Sequence, residues 1–99
     1  MTTISKLFSD TRQMIPNLSG RTEHFTDLDI AGQRFHGVLS IGKNRRRRPP
    51  TWNCSIAAHH NEREIVIVFG AEEKDAVTAL NKAEKGFTER AMTVMEFMP

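Results

Sequence analysis

Four consecutive arginines at residues 45–48 are the feature of this sequence that most clearly indicates chemistry. A guanidinium stays charged at any physiological pH and donates paired hydrogen bonds to the oxygens of a phosphate or a carboxylate. Pro49 and Pro50 follow directly and cannot donate hydrogen bonds to a strand ladder, so the run is predicted to lie in a loop between two strands. If such a loop neutralised about four phosphates, binding would fall with salt at a log–log slope of roughly −3 to −4.

The basic charge of the chain is concentrated in this region. Residues 43–50 contain Lys43 and the four arginines without any acidic residue, whereas the whole chain has a formal net charge of only +2. The remaining residues therefore carry a net charge of −3. A protein that wraps a long duplex usually builds a basic face from several elements, and this sequence has one basic projection instead.

Trp52 stands directly after the basic loop. An exposed aromatic ring beside arginines could stack on a nucleobase. Trp52 also alternates in register with Cys54 and Ile56, which favours an inward-facing position at the start of a strand. The sequence alone leaves both interpretations open.

Two adjacent histidines, His59 and His60, are candidate metal ligands. Neighbouring strand residues point to opposite faces of a sheet, so the pair could chelate a metal only from a turn. A nuclease built from two strands, a helix and a metal would use one of these histidines together with Asn81. That architecture needs a longer connection between its strands than this sequence provides, so no metal site is predicted.

Nucleophilic and carboxylate catalysis are not indicated either. Cys54 has no general base at strand spacing. Asp27 and Asp29 share one strand face, where a carboxylate pair could form, but a solvated sheet face explains them more simply. The sequence contains no G-x-S-x-G, P-loop or G-x-G-x-x-G motif. We therefore predict neither an enzyme nor a cofactor.

The residues before the arginines predict a helix and a hairpin. Residues 3–14 have the apolar spacing of an amphipathic helix, with a threonine available as its N-terminal cap. Residues 24–30 and 34–41 alternate in polarity around a tight turn at residues 31–33, which is typical of a β-hairpin. The loop is predicted to span residues 42–50.

Two further strands are predicted after the loop. Residues 52–58 alternate between apolar and polar side chains, which predicts a strand with one buried face. Residues 59–63 read as a polar turn. Residues 64–69 are apolar at both parities, which predicts a central strand covered on both sides.

The C-terminal third predicts a helix. Acidic residues at 72, 73 and 75 would lie in its first turn, where the helix dipole favours negative charge, and Gly86 would end it. An apolar stripe of Ala76, Val77, Leu80 and Ala83 would face the sheet. Residues 87–99 fit either a second helix, which their composition favours, or a fifth strand.

Together these elements predict one α+β domain over residues 1–99, with an N-terminal helix, a four-stranded antiparallel meander and a C-terminal helix. No apolar run approaches the ~20 residues that span a bilayer, so no membrane contact is predicted. A single cysteine indicates a reducing cytoplasm. Homodimerisation is compatible with strand edges that need covering.

We predict a non-enzymatic binding module that contacts the phosphates of DNA or RNA through its arginine-rich loop. The predicted site residues are Lys43, Arg45, Arg46, Arg47, Arg48 and Trp52. The alternative is a protein-binding inhibitor or adaptor of the kind that phages and mobile elements carry. An anti-CRISPR-like protein that blocks a host nucleoprotein complex would be one example, with the arginines docked on an acidic protein surface.

Overall fold

The computed structural model describes residues 1–18 and 20–98. These residues form two helices and five strands, together with a short 3-10 turn at Ile15–Asn17. In chain order these are β1 (Thr2–Thr3), α1 (Ile4–Met14), β2 (Thr22–Ile30), β3 (Gln33–Asn44), β4 (Thr51–His60), β5 (Val66–Glu73) and α2 (Ala76–Glu96).

The five strands form one mixed sheet in the order β1-β2-β3-β4-β5. β1 runs parallel to β2, and every other neighbouring pair is antiparallel. α2 packs against β3, β4 and β5, and α1 packs against α2, β1 and β2. Both helices therefore lie on the same face of the sheet, and the core between them contains three fully buried phenylalanines, Phe8, Phe35 and Phe87.

The predicted N-terminal helix and first hairpin are confirmed. Thr3 caps α1, and its side chain accepts a hydrogen bond from the backbone N–H of Lys6 at 3.1 Å. Ala31 and Gly32 join β2 to β3 with φ angles of 52° and 80°. Positive φ at both central residues is the conformation that a two-residue hairpin turn requires, because its twist matches that of the strands.

The predicted α+β class is confirmed, but the predicted four-stranded antiparallel sheet is incomplete. The fifth strand is β1, which precedes the first helix and pairs in parallel with Leu28 and Asp29 of β2. Two residues are too few to show the alternation by which a strand is recognised in a sequence.

The prediction that residues 64–69 form a central strand is wrong. β5 is the last strand of the sheet, and although Ile67 is buried, Val66 is 58% exposed and Val68 is 48% exposed. Apolar residues at both parities suit a strand covered on both sides, but in the part of the chain that the structure describes no helix covers the face that Val66 and Val68 share.

The predicted start of the C-terminal helix is also wrong. β5 continues through Gly70 to Glu73, so that Glu72 and Glu73 belong to the strand. The helix begins at Ala76, where the carboxylate of Asp75 accepts a hydrogen bond from the backbone N–H of Thr78 at 2.8 Å. This bond lowers the pKa of Asp75 and stabilises the first turn.

Gly86 does not end the helix. α2 runs for 21 residues without interruption, so residues 87–96 of the predicted segment 87–99 continue it and form neither a second helix nor a strand. Residue 99 of that segment lies outside the described residues. A Cβ atom at Gly86 would lie 2.1 Å from Cζ of Phe69 on β5. The glycine therefore permits close contact between helix and sheet. Val77 of the predicted apolar stripe is 42% exposed, and Ala79 is buried instead.

Replacing Gly86 with alanine tests this contact. We expect Gly86→Ala to lower the free energy of unfolding by about 1–3 kcal/mol, because the added methyl group meets the ring of Phe69. In a Phe69→Ala background the same change should raise stability by up to about 1 kcal/mol, since alanine favours helix. Urea unfolding of the four variants measures both effects. A stabilising Gly86→Ala in the unaltered chain would contradict the packing argument.

Candidate functional site

The basic loop connects the longest pair of strands in the sheet. β3 and β4 pair from Phe35 and His60 at one end to Asn44 and Thr51 at the other. Residues 45–50 form the loop beyond this last pair, and all of them are exposed. The loop is shorter than predicted, because the strand ladder continues through Gly42 and Lys43.

One loop arginine is held by a carboxylate on the neighbouring edge strand. Nε of Arg47 donates to Oε2 of Glu72 at 3.2 Å. The hydroxyl of Thr51 and, at 3.4 Å, the amide of Asn44 also donate to this carboxylate. The hydrogen bond from Thr51, followed by that from Arg47, lowers the pKa of Glu72. Glu72 therefore stays ionised and links the loop to the ends of three strands.

The other three arginines have no such anchor. Among residues 1–18 and 20–98, the guanidinium groups of Arg45, Arg46 and Arg48 form no salt bridge and no hydrogen bond. The backbone N–H of Arg46 donates to the side chain of Asn44 at 3.1 Å, which fixes the turn but not the charge. Three exposed guanidiniums are thus available to an external anion.

Lys43 and Trp52 form a cross-strand pair just below the loop. Lys43 is exposed, whereas Trp52 is partly buried and packs against the hydrophobic core. This position matches the inward-facing interpretation of Trp52. Its side chain shares strand parity with Cys54 and Ile56, so it lies on the face that the helices cover.

Within residues 1–18 and 20–98, no helix covers the opposite face of the sheet, and we call this face the open face. Three rows of cross-strand neighbours follow one another along it. Going away from the loop, they are Glu23-Ser40-Ser55-Gly70, then Phe25-Val38-Ala57-Val68, then Asp27-His36-His59-Val66. The middle row is apolar across four strands, and Phe25 at its end is 74% exposed.

The polarity alternation of β2, β3 and β4 indicates which of their residues face outward, but residues 64–69 were predicted to be covered on both sides, so the row that includes Val68 was not predicted. The alternation that turns Leu28 and Ile30 inward also turns Phe25 outward beside Asp27. The register that aligns Phe25, Val38 and Val68 depends on the pairing of separate strands. In the sequence, the feature that indicates this row is Phe25, a phenylalanine on the polar face of β2.

A concavity of about 220 Å³ lies between the loop and the apolar row. Arg21, two serines and Asn53 contribute polar groups to its lining, which consists of Arg21, Ser40, Ile41, Gly42, Lys43, Asn53 and Ser55. Cα and Cβ of Arg21 lie 3.2 Å from where a Cβ on Gly42 would stand, so the glycine lets Arg21 pack closely against β3. Hydroxyl, amide and guanidinium donors are the groups that commonly bind phosphate oxygens.

The two histidines lie in β4, and not in a turn as predicted. His60 is buried, and its ring meets Phe35 edge-on at a centroid distance of 5.0 Å. Its Nδ1 accepts hydrogen bonds from the backbone N–H groups of Glu62 and Arg63, each at 3.0 Å. His60 therefore stabilises the turn into β5, while His59 points to the open face. In the described part of the chain, no cluster of three His, Cys, Asp or Glu side chains could hold a metal ion.

The other groups considered for catalysis, the thiol of Cys54 and the carboxylates of Asp27 and Asp29, are buried or hydrogen-bonded within the protein. Burial raises the pKa of the Cys54 thiol to about 12, so the sulfur stays protonated.

Asp27 accepts a hydrogen bond from Arg34 at 2.6 Å and lies 2.9 Å from Nδ1 of His36. The hydrogen bond from Arg34 is the main cause of the lowered pKa of Asp27. Asp29 accepts instead from the backbone N–H of Gly32. The two carboxylates thus have separate partners.

Asn81, the helix residue considered as a metal ligand, is also engaged. It accepts hydrogen bonds from the guanidinium of Arg12 at 2.9 and 3.1 Å, and the same guanidinium pairs with Glu84 at 2.8 Å. These bonds join α1 to α2 on the side of the molecule away from the open face.

Comparison with protein-family models, with curated sequences and with solved structures finds no significant match. None of the helices in residues 1–18 and 20–98 has the length and apolar character needed to cross a membrane.

The anchoring of the loop by Glu72 can be measured by proteolysis. We expect Glu72→Ala to accelerate trypsin cleavage after residues 45–47, because the change removes the acceptor that Arg47, Thr51 and Asn44 share. Glu62→Ala, which alters an exposed glutamate in the β4–β5 connection, serves as the control. Equal cleavage rates in the two variants would show that the ion pair does not order the loop.

Proposed function

We propose that this protein is a binding module without catalytic activity, and that its arginine loop contacts the phosphates of DNA or RNA. The observation that carries the proposal is the division of the four arginines: Arg47 is tied to Glu72, while Arg45, Arg46 and Arg48 project from the tip without an internal partner among the described residues. A loop fixed at one point can present its other guanidiniums with less loss of conformational entropy on binding.

The surrounding charge supports a contact at this end of the sheet. The chain outside residues 43–50 is net negative, and such a body disfavours a phosphate backbone lying along most of its surface. Near the loop, Lys43 and Arg21 add positive charge, and the serine and asparagine side chains of the concavity add hydrogen-bond donors. Phosphate contacts of this kind give binding that depends strongly on salt.

A matched pair of triple variants tests the proposal. Arg45, Arg46 and Arg48 are changed to alanine in one variant, and Lys6, Arg63 and Lys85 are changed in the other, so that both lose the same charge. We expect the loop variant alone to reduce the magnitude of the log–log salt slope by about 2–3, because three phosphate contacts are lost. Fluorescence anisotropy with labelled DNA and RNA oligonucleotides at about 50 and about 200 mM salt measures the slope.

The control variant should bind like the unaltered protein, and circular dichroism should show that both variants fold. Equal loss of affinity in the two variants would mean that net charge, and not the loop, governs binding. If the unaltered protein binds no oligonucleotide at either salt concentration, the proposal fails. The alternative of a protein-binding inhibitor or adaptor, with the same guanidiniums on carboxylates, would then take its place.

A further inference from the structure

We infer that the nucleic acid is single-stranded and crosses the open face, where one of its bases stacks on the ring of Phe25. This inference rests on the proposed function, and it specifies the ligand class and a second contact surface. The side chain of Phe25 is 74% exposed, although the other residues of β2 are polar or buried. A large exposed apolar side chain within an apolar row indicates an interaction site.

The position of Phe25 relative to the basic groups favours a nucleotide. The row that contains Ser40 and Ser55 lies two residues along the strands from the row of Phe25, a distance of about 7 Å. Arg21 precedes Phe25 by four residues, or about 13 Å of extended strand. A base on Phe25 would thus have phosphate-binding donors on its loop side. An apolar segment of a protein would leave these donors unused.

The carboxylates of the open face are mostly compensated. Asp27 is paired with Arg34 and lies beside His36, and Glu72 is paired with Arg47. Glu23 is exposed, lies opposite Ser40 and stands between Arg21 and Phe25 on the same face of β2, and among the described residues it has no salt bridge. The path from the loop through the concavity to Phe25 therefore passes one unpaired carboxylate, with Arg21 and the hydroxyl groups of Ser40 and Ser55 beside it.

The shape of the face favours a single strand over a duplex. Ser55, Ala57 and Gly70 at the centre of the open face have small side chains or none, so little projects from the sheet there. An extended nucleotide chain can therefore approach the backbone of the sheet closely. In a duplex the bases are stacked on one another and offer no free ring face to Phe25. Unpaired bases stack on exposed aromatic side chains, and the contact tolerates any base sequence.

Phe97 provides a matched control, since it is 82% exposed and follows the end of α2, away from the strand that carries Phe25. We expect Phe25→Ala to weaken binding of a single-stranded oligonucleotide of about 12 nucleotides by about 5- to 100-fold, and Phe97→Ala to leave it unchanged. A duplex of the same length should bind more weakly than the single strand and should be insensitive to Phe25→Ala. Fluorescence anisotropy at about 50 and about 200 mM salt gives these affinities and the salt slope of each variant.

Two further substitutions separate stacking from simple apolar contact. Phe25→Trp should keep or increase affinity for the single strand, whereas Phe25→Leu should lose most of it, because leucine is apolar but has no aromatic face. Since Phe25 is neutral, none of these changes should alter the salt slope. Retention of full affinity by Phe25→Leu would overturn the stacking contact.

The outcomes distinguish this inference from the proposed function. If single strand and duplex bind equally and Phe25→Ala changes neither, while the triple arginine variant weakens both, the open-face contact is wrong and the loop contact stands. If no oligonucleotide binds the unaltered protein, both fail. A protein partner whose binding requires Phe25 would then assign the open face to protein recognition.

Discussion

The close contact between Gly86 of α2 and the ring of Phe69 on β5 is the interaction on which the arrangement of the molecule depends. Because the glycine has no side chain, a helix of 21 residues passes over the edge strand and covers three strands of the sheet. The guanidinium of Arg90 lies 5.2 Å from the same ring and donates to the carbonyl oxygen of Val68 at 2.6 Å. This bond occupies one acceptor of the exposed strand edge, which would otherwise favour pairing with another chain.

One-sided covering of the sheet determines which residues meet solvent. Leu80 and Phe87 of α2 are buried against the inward-facing side chains of β3, β4 and β5. The outward-facing side chains of these strands are left without a covering layer. The exposed valines of β5 and the exposed Phe25 of β2 follow from the same packing. The open face is therefore a consequence of how the core is built, and the proposed binding surface extends over it from the loop.

The second organising contact is the carboxylate of Glu72. It lies on the open-face parity of β5 and accepts hydrogen bonds from the end of β3, the start of β4 and the loop between them. Four neighbouring guanidiniums repel one another, so a loop that contains them gains order from an anion within its reach. The structure supplies that anion for Arg47 and leaves the remaining positive charge at the tip.

Local patterns in the sequence determined the features that depend on neighbouring residues. Spacings of a few residues are enough to predict four of these features. They are the cap at Thr3, the alternation of β2, β3 and β4, the hairpin at Ala31 and Gly32, and the placement of the arginines in a loop. Such spacings report helix or strand period, turn conformation and charge directly. The α+β class and the basic end of the candidate site were accessible for that reason.

Tertiary structure alone decided what depends on distant residues. The sequence pattern of β5 does not reveal whether a second layer covers it, so Val68 looked central although it lies at an edge. Gly86 looked like a helix end because its partner Phe69 is distant along the chain. The pairing of Arg47 with Glu72 and the row through Phe25 likewise join separate strands. The physical reason is the same in each case: packing and register set these relations, and neither is encoded in the period of a single segment.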